Sequence, residues 1–229
     1  MNLQGDRTMM TKEEFLKRLK EDQEFSPGWQ AIDDAFDALY PGQKPQHYGT
    51  NLHARAMFGG DQYLDGYSIY TSDKGYYHIV SYGMTELYGN EEAYGKEWNR
   101  WGYEMTIKLK ENAPEDCLWA LDMMANLARY TYTSERYFEP GHFIRGNGTS
   151  LHIGTDSAIT ALLCVDDTEA QTQVSVYGKT TFLQLVGITE SELQAIIKEQ
   201  ELVPELIRKM KEDGNPDLVT DMKRTVSYL

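Results

Sequence analysis

The amino-terminal part of the chain has the hydrophobic spacing of two helices. The capping-box pair Thr11 and Glu14 predicts one helix, ending near residue 24, and Ser26 followed by Pro27 predicts the start of a second. Four apolar side chains recur at spacings of three and four along the second helix: Trp29, Ile32, Phe36 and Leu39. We therefore expect two amphipathic helices before any strand.

From residue 47 onward, apolar and polar residues begin to alternate. Residues 64–71 and 76–82 have the composition of strands, and the four-residue link between them ends in Gly75, which predicts an antiparallel hairpin. In residues 103–110, four apolar side chains alternate with four polar ones. This alternation predicts a strand with one buried face and one face in water.

The second half of the chain predicts one long helix and three further strands. Pro114 begins the helix, which extends to about Tyr132. Strand-like runs follow at 158–165, 173–177 and 181–187, and we expect the last two to be joined by a turn at Gly178-Lys179.

Two short helices are predicted near the carboxyl terminus. Thr189 and Glu192 form a capping box that begins the first, and residues 204–211 form the second. The tail, residues 218–229, is a candidate edge strand. Residues 133–157 contain five glycines or prolines and little periodicity, so we predict that they form the longest loop.

The order of these elements predicts the fold class. The strands are grouped between helices without regular strand–helix–strand alternation, which is typical of an α+β domain. We expect a mostly antiparallel or mixed sheet packed with helices. We also expect residues 11–229 to form one domain, preceded by a leader or disordered start over residues 1–10. A domain of this length buries enough surface to fold without a disulfide or metal.

Composition narrows the classes of partner. The net charge of -14 disfavours nucleic acid and anionic membranes, which require clustered Lys and Arg. It favours either a basic protein partner or nothing more than a well-solvated surface. The two cysteines, Cys117 and Cys164, are too few for a disulfide framework or a four-cysteine zinc site. Because the start of the chain lacks the apolar segment of a signal peptide, we expect a cytoplasmic protein.

Candidate chemistry is sparse. We find no nucleophile motif, phosphate-binding loop or histidine pair with zinc-ligand spacing, and we predict no cofactor and no bound metal. Two pairs remain as candidates for a hydrolase-type enzyme: the carboxylates Asp61 and Asp65, and the histidines His142 and His152. Asp65-Gly66 is also typical of a turn that enters a strand. The sequence alone does not decide between these interpretations.

Several stretches of the chain resemble the Suppressor of fused family, and they occur in the family's order. The stretches are GWQAIDDAFDALYPGQKPQHYGT (28–50), LDGYSIY (64–70), HIVSYGMTELYG (78–89), WGYEMTIKLK (101–110), LARYTY (127–132), TFLQLVGITESEL (181–193) and TDMKR (220–224). The resemblance implies a non-enzymatic α+β protein-binding domain that corresponds to the amino-terminal lobe of the animal members. Those members grip an extended peptide of a Gli-type transcription factor between two lobes.

Shorter, single-domain members of the family are typical of bacteria. There the family is proposed to supply immunity proteins that neutralise secreted polymorphic toxins. The resemblance therefore implies a chain that sequesters a protein partner, either a basic toxin domain or an extended peptide. A homo-oligomeric scaffold that uses its exposed tyrosines is a further alternative.

The resemblance also implies where the partner binds. The tyrosine that closes the ELY run contributes to the family's peptide groove, and it matches Tyr88. The family's groove aspartate has no counterpart in residues 94–100, where Glu97 is the closest acidic residue. We predict a partner-binding surface that contains Tyr82, Glu86, Tyr88 and Glu97.

Overall fold

The computed structural model describes residues 10–50 and 63–229 of the chain. The helices of this part are α1 Lys12–Glu21, α2 Pro27–Leu39, α3 Leu118–Ser134, α4 Glu190–Lys198 and α5 Val203–Glu212. Its strands are β1 Gln46–Gly49, β2 Gly66–Thr71, β3 Tyr77–Tyr82, β4 Trp98–Leu109, β5 Phe143–Arg145, β6 Ile159–Asp166, β7 Gln173–Ser175 and β8 Gly178–Thr189. The predicted leader lies outside the described residues except for Met10.

The eight strands form one mixed sheet in the order β1-β2-β3-β4-β8-β6-β5, and β7 pairs with the start of β8. The β4–β8 pair in the middle is parallel, and the other pairs are antiparallel. The predicted hairpin is confirmed, since Ile69 of β2 lies opposite Ile79 of β3. The structure therefore confirms the α+β class with a mixed sheet.

Helices cover both faces of the sheet. Because side chains alternate along a strand, neighbouring residues of β8 reach opposite faces. Leu183 and Leu185 pack in the same cluster as α3. Phe182 packs with α2, and Val186 packs with α4 and α5. The sheet is thus the middle of three layers, with α3 on one side and α2, α4 and α5 on the other.

The prediction that one face of β4 is exposed to water is wrong. Its polar side chains lie on the face towards α2, where they are fully buried together with polar side chains of β3 and β8. We call this group the buried polar face; it consists of His78, Glu104, Thr106, Lys108 and Gln184. The alternation along β4 separates an apolar core from a polar core, and it does not separate protein from water.

Asp167, in the segment after β6, is the polar partner of three side chains of the buried polar face. Its carboxylate accepts hydrogen bonds from His78 Nε2 at 2.9 Å and from Thr106 Oγ1 at 2.6 Å, and Lys108 Nζ lies 3.3 Å away. Lys108 Nζ also lies 2.8 Å from a carboxylate oxygen of Glu169. Burial alone would raise the pKa of Asp167, but these partners hold it well below its usual range. Asp167 is therefore a buried anion matched by buried donors.

Glu104 binds the turn that follows β3. One carboxylate oxygen accepts from Gly83 N at 3.0 Å and from the backbone and hydroxyl of Thr85 at 2.9 and 2.7 Å. The other oxygen accepts from Ser81 Oγ at 2.6 Å and from Met84 N at 3.3 Å. Burial raises the pKa of Glu104 to about 7, and these donors limit the rise. The conformation of residues 83–85 is thus fixed by one buried side chain.

The predictions for the end of the chain hold in part. The capping box of Thr189 and Glu192 is confirmed. The tail contributes a single parallel bridge, Thr220 to Leu109, where a strand had been expected. Arg224 then anchors the tail, because its guanidinium lies 2.7 Å from the buried carboxylate of Glu192. None of the helices in the described ranges is long and apolar enough to cross a membrane.

Replacing Lys108 tests the buried polar face. Lys108→Met keeps most of the side-chain volume but leaves Asp167 and Glu169 without their shared cation, so we expect a loss of about 3–5 kcal/mol in the free energy of unfolding, measured by denaturant titration. Lys110→Met is the matched control on the same strand, because the Lys110 side chain is 65% exposed beside Asp221. We expect the control to change stability by less than about 1 kcal/mol. Equal effects would contradict the assignment of Lys108 to the core.

The raised pKa of Glu104 predicts that the stability of the protein depends on pH. Its folded pKa of about 7 lies above its ordinary value of 4.5, so its contribution is fully present below pH 4.5 and is lost as pH rises through 7. Glu104→Gln mimics the protonated form, because the hydroxyl of Ser81 can accept from the amide. Between pH 5 and pH 8 we expect the unfolding free energy of the wild type to fall by about 1–3 kcal/mol relative to the variant. A pH-independent difference would show that Glu104 does not titrate in this range.

Candidate functional site

The segment Glu86–Tyr88 leaves the Glu104-bound turn and runs against the start of α2. The amide groups of Gly28 and Trp29 donate to Leu87 O at 3.1 and 3.3 Å. A Cβ atom on Gly28 would lie 1.8 Å from Glu86 O, so only glycine permits this approach. The backbone of the segment therefore caps the helix.

This contact explains why the predicted cap residue of α2, Ser26, makes no capping hydrogen bond with its side chain. Pro27 begins the helix as expected, but Ser26 makes no side-chain capping bond and donates instead to Glu24 O at 3.0 Å. The free amide groups of the first helical turn are satisfied by the carbonyl of Leu87, 60 residues away in sequence. A partner so distant in sequence leaves no local signal.

Tyr88 stands at the end of this segment as an exposed ring on a fixed backbone. Its side chain is 43% exposed, and its carbonyl accepts from the hydroxyl of Tyr177 at 2.6 Å. Its own hydroxyl lies 3.3 Å from Asp65 Oδ1. Partial burial raises the pKa of Tyr88 to about 12, and the charge of Asp65 adds to the rise. At neutral pH the hydroxyl is therefore protonated and donates to Asp65.

Tyr82, which is predicted to be part of the partner-binding surface, is a buried residue of this region. It is 1% exposed, its hydroxyl donates to Asp33 at 3.0 Å, and its ring stacks on Trp29 at a centroid distance of 4.4 Å. Trp29 in turn lies 6.3 Å from the ring of Tyr88. Tyr82 thus supports Trp29, and Trp29 supports Tyr88. The tryptophan of α2 covers Tyr82, and no local sequence pattern predicts that contact.

Tyr88 and Trp29 line a groove of about 700 Å³, which we call the Tyr88 groove. The α1–α2 junction forms one wall, through residues that include Phe25 and Pro27, and residues 174–176 of β7 and its turn form the other. Val174 is 60% exposed at this wall. The size lies within the range of ligand-binding clefts, and an exposed aromatic ring between walls that mix apolar and polar side chains is typical of a protein-binding site.

The other two predicted site residues lie nearby but do not line the Tyr88 groove. Glu86 is half-buried, and its carboxylate accepts from Asn90 Nδ2 at 2.9 Å, which stabilises the next turn. Glu97 is exposed, and its backbone carbonyl accepts from Lys179 N at 3.0 Å. The turn between β7 and β8 consists of residues 176–177, so Gly178 already belongs to β8 and packs against the carbonyls of residues 96–97.

Of the two candidate catalytic pairs, the structure describes both members only of His142 and His152, and these two histidines have different partners. Asp61 lies outside the described residues, and Asp65 serves as the partner of Tyr88. His142 contacts Glu139, whereas His152 stacks on Trp119 at 5.2 Å. Within residues 10–50 and 63–229, no group of three or more His, Cys, Asp or Glu side chains is arranged to hold a metal ion.

Comparison with known proteins gives consistent matches. A family model described as Suppressor of fused protein (SUFU) matches residues 60–225. The chain is 30% identical over 211 residues to the Suppressor of fused homologs of Homo sapiens and Mus musculus; the match covers 86% of this chain and 43% of each relative. The chain therefore spans less than half the length of these curated relatives.

Solved structures share the fold. Drosophila Suppressor of Fused matches with a TM-score of 0.76 at 25% identity, over 90% of this chain and 52% of the other. A SUFU homolog from Neisseria gonorrhoeae matches with a TM-score of 0.60 at 15% identity, over 88% of this chain and 97% of the other, and shows the fold alone. The family match covers most of the sequence, and the architecture agrees with it. The chain belongs to the Suppressor of fused family.

Proposed function

We propose that this chain is a non-enzymatic protein-binding module that sequesters a partner through the Tyr88 groove. The observation that carries the proposal is the exposed ring of Tyr88, a residue that is held by three contacts. Trp29 lies beside the ring, Asp65 holds the hydroxyl and Tyr177 holds the carbonyl. A similar protein, solved in the Sufu–Fu complex, matches over 88% of this chain and 92% of its own with a TM-score of 0.75 at 24% identity, and it binds a protein partner in that complex.

Rigidity makes such a surface an effective anchor. An aromatic side chain that is already ordered loses little entropy on binding, so more of its contact energy appears as affinity. Tyrosine and tryptophan are enriched among the residues that dominate protein interfaces. Because Gly28 and Glu104 fix the backbone on either side of Glu86–Tyr88, the groove is formed before any partner arrives.

The charge of the chain supports a basic partner. With a net charge of -14, long-range attraction increases the rate at which a basic protein encounters the surface. We propose that this partner is a toxin domain that the chain neutralises as an immunity protein. The resemblance to short bacterial members of the family and the acidic surface support this role. Within the described residues, the separate contacts of the two histidines favour no enzymatic alternative.

Replacing Tyr88 tests the proposed anchor. In capture from the native cell lysate, followed by titration of the identified partner, we expect Tyr88→Ala to weaken binding by about 1–3 kcal/mol. Ile153→Ala is the control, because Ile153 is 89% exposed on a distant loop and should leave affinity unchanged. Unfolding curves of both variants establish that the fold is intact. Wild-type affinity in a folded Tyr88→Ala protein would exclude Tyr88 from the interface.

Salt tests the electrostatic part of the proposal. Raising the salt concentration to about 0.5 M shortens the screening length to a few ångströms, so attraction between distant charges is lost. We expect the association rate of the captured partner, measured by stopped-flow fluorescence, to fall by about tenfold or more while the dissociation rate changes less. An association rate independent of salt would contradict steering by the acidic surface.

A further inference from the structure

A second groove, of about 590 Å³, lies between the start of β4 and residues 135–140, which follow α3. We call it the aromatic groove, because its walls include Trp98, Trp101, Tyr103, Tyr137 and Phe138. Trp98 and Tyr137 are 46% and 53% exposed. Two large aromatic rings left half in water beside one cleft are unusual for a surface with no partner.

The aromatic groove opens on the sheet face opposite the Tyr88 groove. Tyr103 and Leu183, which line it, belong to the core cluster of α3, whereas the Tyr88 groove is lined by Trp29 and Ala31 of α2. A ligand of one groove therefore does not occupy the other.

The backbone on both sides of the aromatic groove is held in an unusual conformation. The register of β4 against β8 shifts between Trp98 and Tyr103, so the intervening residues leave the ladder. Arg100 in that segment has φ of 55°, and Glu135 on the opposite side has φ of 56°. In the part of the chain that the structure describes, three non-glycine residues have positive φ, and two of them line this groove. Glu135 ends α3 in the left-handed conformation common at helix C-termini. Arg100, inside the irregular part of β4, is a strained residue of the kind that concentrates at binding sites.

Negative charge surrounds the aromatic rings. Glu135, Glu139 and Asp166 line the groove, against the single guanidinium of Arg100. Arg100 already lies over the ring of Tyr132 at 4.8 Å. Within residues 10–50 and 63–229, the side chains of Glu135 and Asp166 form no ion pair or hydrogen bond. The lining residues thus carry an excess of two negative charges, of which Lys179, beside Trp98, offsets one. The remaining negative charge lies next to rings whose faces attract cations.

We propose that the aromatic groove binds a basic side chain, lysine or arginine, of the partner protein. The cation lies against the exposed ring of Tyr137, and the carboxylates of Glu135 and Asp166 balance its charge. The chain already makes one such contact, since Lys179 Nζ lies 5.4 Å from the ring centre of Trp98. The inference rests on the proposed function, to which it adds a second contact and the chemistry of the partner residue.

The test uses small probes in place of the unidentified partner. N-acetyl-arginine amide and N-acetyl-lysine amide are titrated into the intact chain, and the indole N–H signals of its four tryptophans are followed by NMR. N-acetyl-citrulline amide, which has the shape of the arginine probe without its charge, is the control. We expect the cationic probes to shift the signals of Trp98 and Trp101 saturably, with citrulline causing no such shift. Equal shifts with citrulline would overturn the proposal.

Matched variants separate the groove from the general charge of the protein. Glu135→Gln and Asp166→Asn each remove one negative charge at the groove, and Glu115→Gln removes one at an exposed position elsewhere. We expect the first two to weaken arginine-probe binding by about three- to fivefold and Glu115→Gln to leave it unchanged. If all three variants weaken binding equally, the probe senses net charge only and the proposal fails.

The same variants distinguish this inference from the proposed function. A partner whose capture depends on Tyr88 but is unaffected in Glu135→Gln and Asp166→Asn would leave the Tyr88 groove as a binding site and overturn the role of the aromatic groove. A partner lost in both sets of variants, with folded protein throughout, would support both sites.

Discussion

The hydrogen bonds from residues 81–85 to the carboxylate of Glu104 determine where the Tyr88 groove lies. Glu104 is on a central strand and fully buried, so its position is set by the core. Its two oxygens receive all three backbone amide groups of residues 83–85, as well as two hydroxyls. The segment that follows, Glu86–Tyr88, begins from this fixed turn. A buried polar side chain thereby orders an exterior surface.

The buried polar face extends the same principle across the sheet. Lys108 and Thr106 donate to acceptors on the segment after β6, and Gln184 donates to the carbonyls of Asp217 and Leu218, where the tail begins. These contacts tie irregular segments to the central strands at defined positions. Apolar packing alone would hold such loops with less specificity, because it has no preferred direction. The irregular parts of this protein are therefore ordered by polar groups inside it.

The sequence predicted those features whose causes are local. The pairs Thr11–Glu14 and Thr189–Glu192 form the expected capping boxes, because both partners lie within one helical turn. The β2–β3 hairpin follows from its link length and composition. Family resemblance suggested Tyr88 as a partner-binding residue, which stays a prediction; its ring lies at a groove. No single stretch of sequence contained the groove itself, whose walls come from three distant segments.

Features with distant causes were missed. Alternation along β4 shows that two kinds of side chain face opposite ways, but it does not show what covers each face. The covering residue Asp167 lies about 60 positions further along the chain. Likewise the burial of Tyr82 depends on Trp29, and the cap of α2 depends on Leu87.

We propose that the buried side chain of Glu104 holds the Tyr88 groove in place before a partner arrives. Amide hydrogen exchange of the free protein at neutral pH tests it most directly, residue by residue. We expect the amide groups of Gly83 and Thr85 to exchange as slowly as those of β4, although they lie in a turn, because both donate to Glu104. If these amide groups exchange as fast as exposed loop amides, such as that of Gly148, the turn opens freely and Glu104 does not hold it.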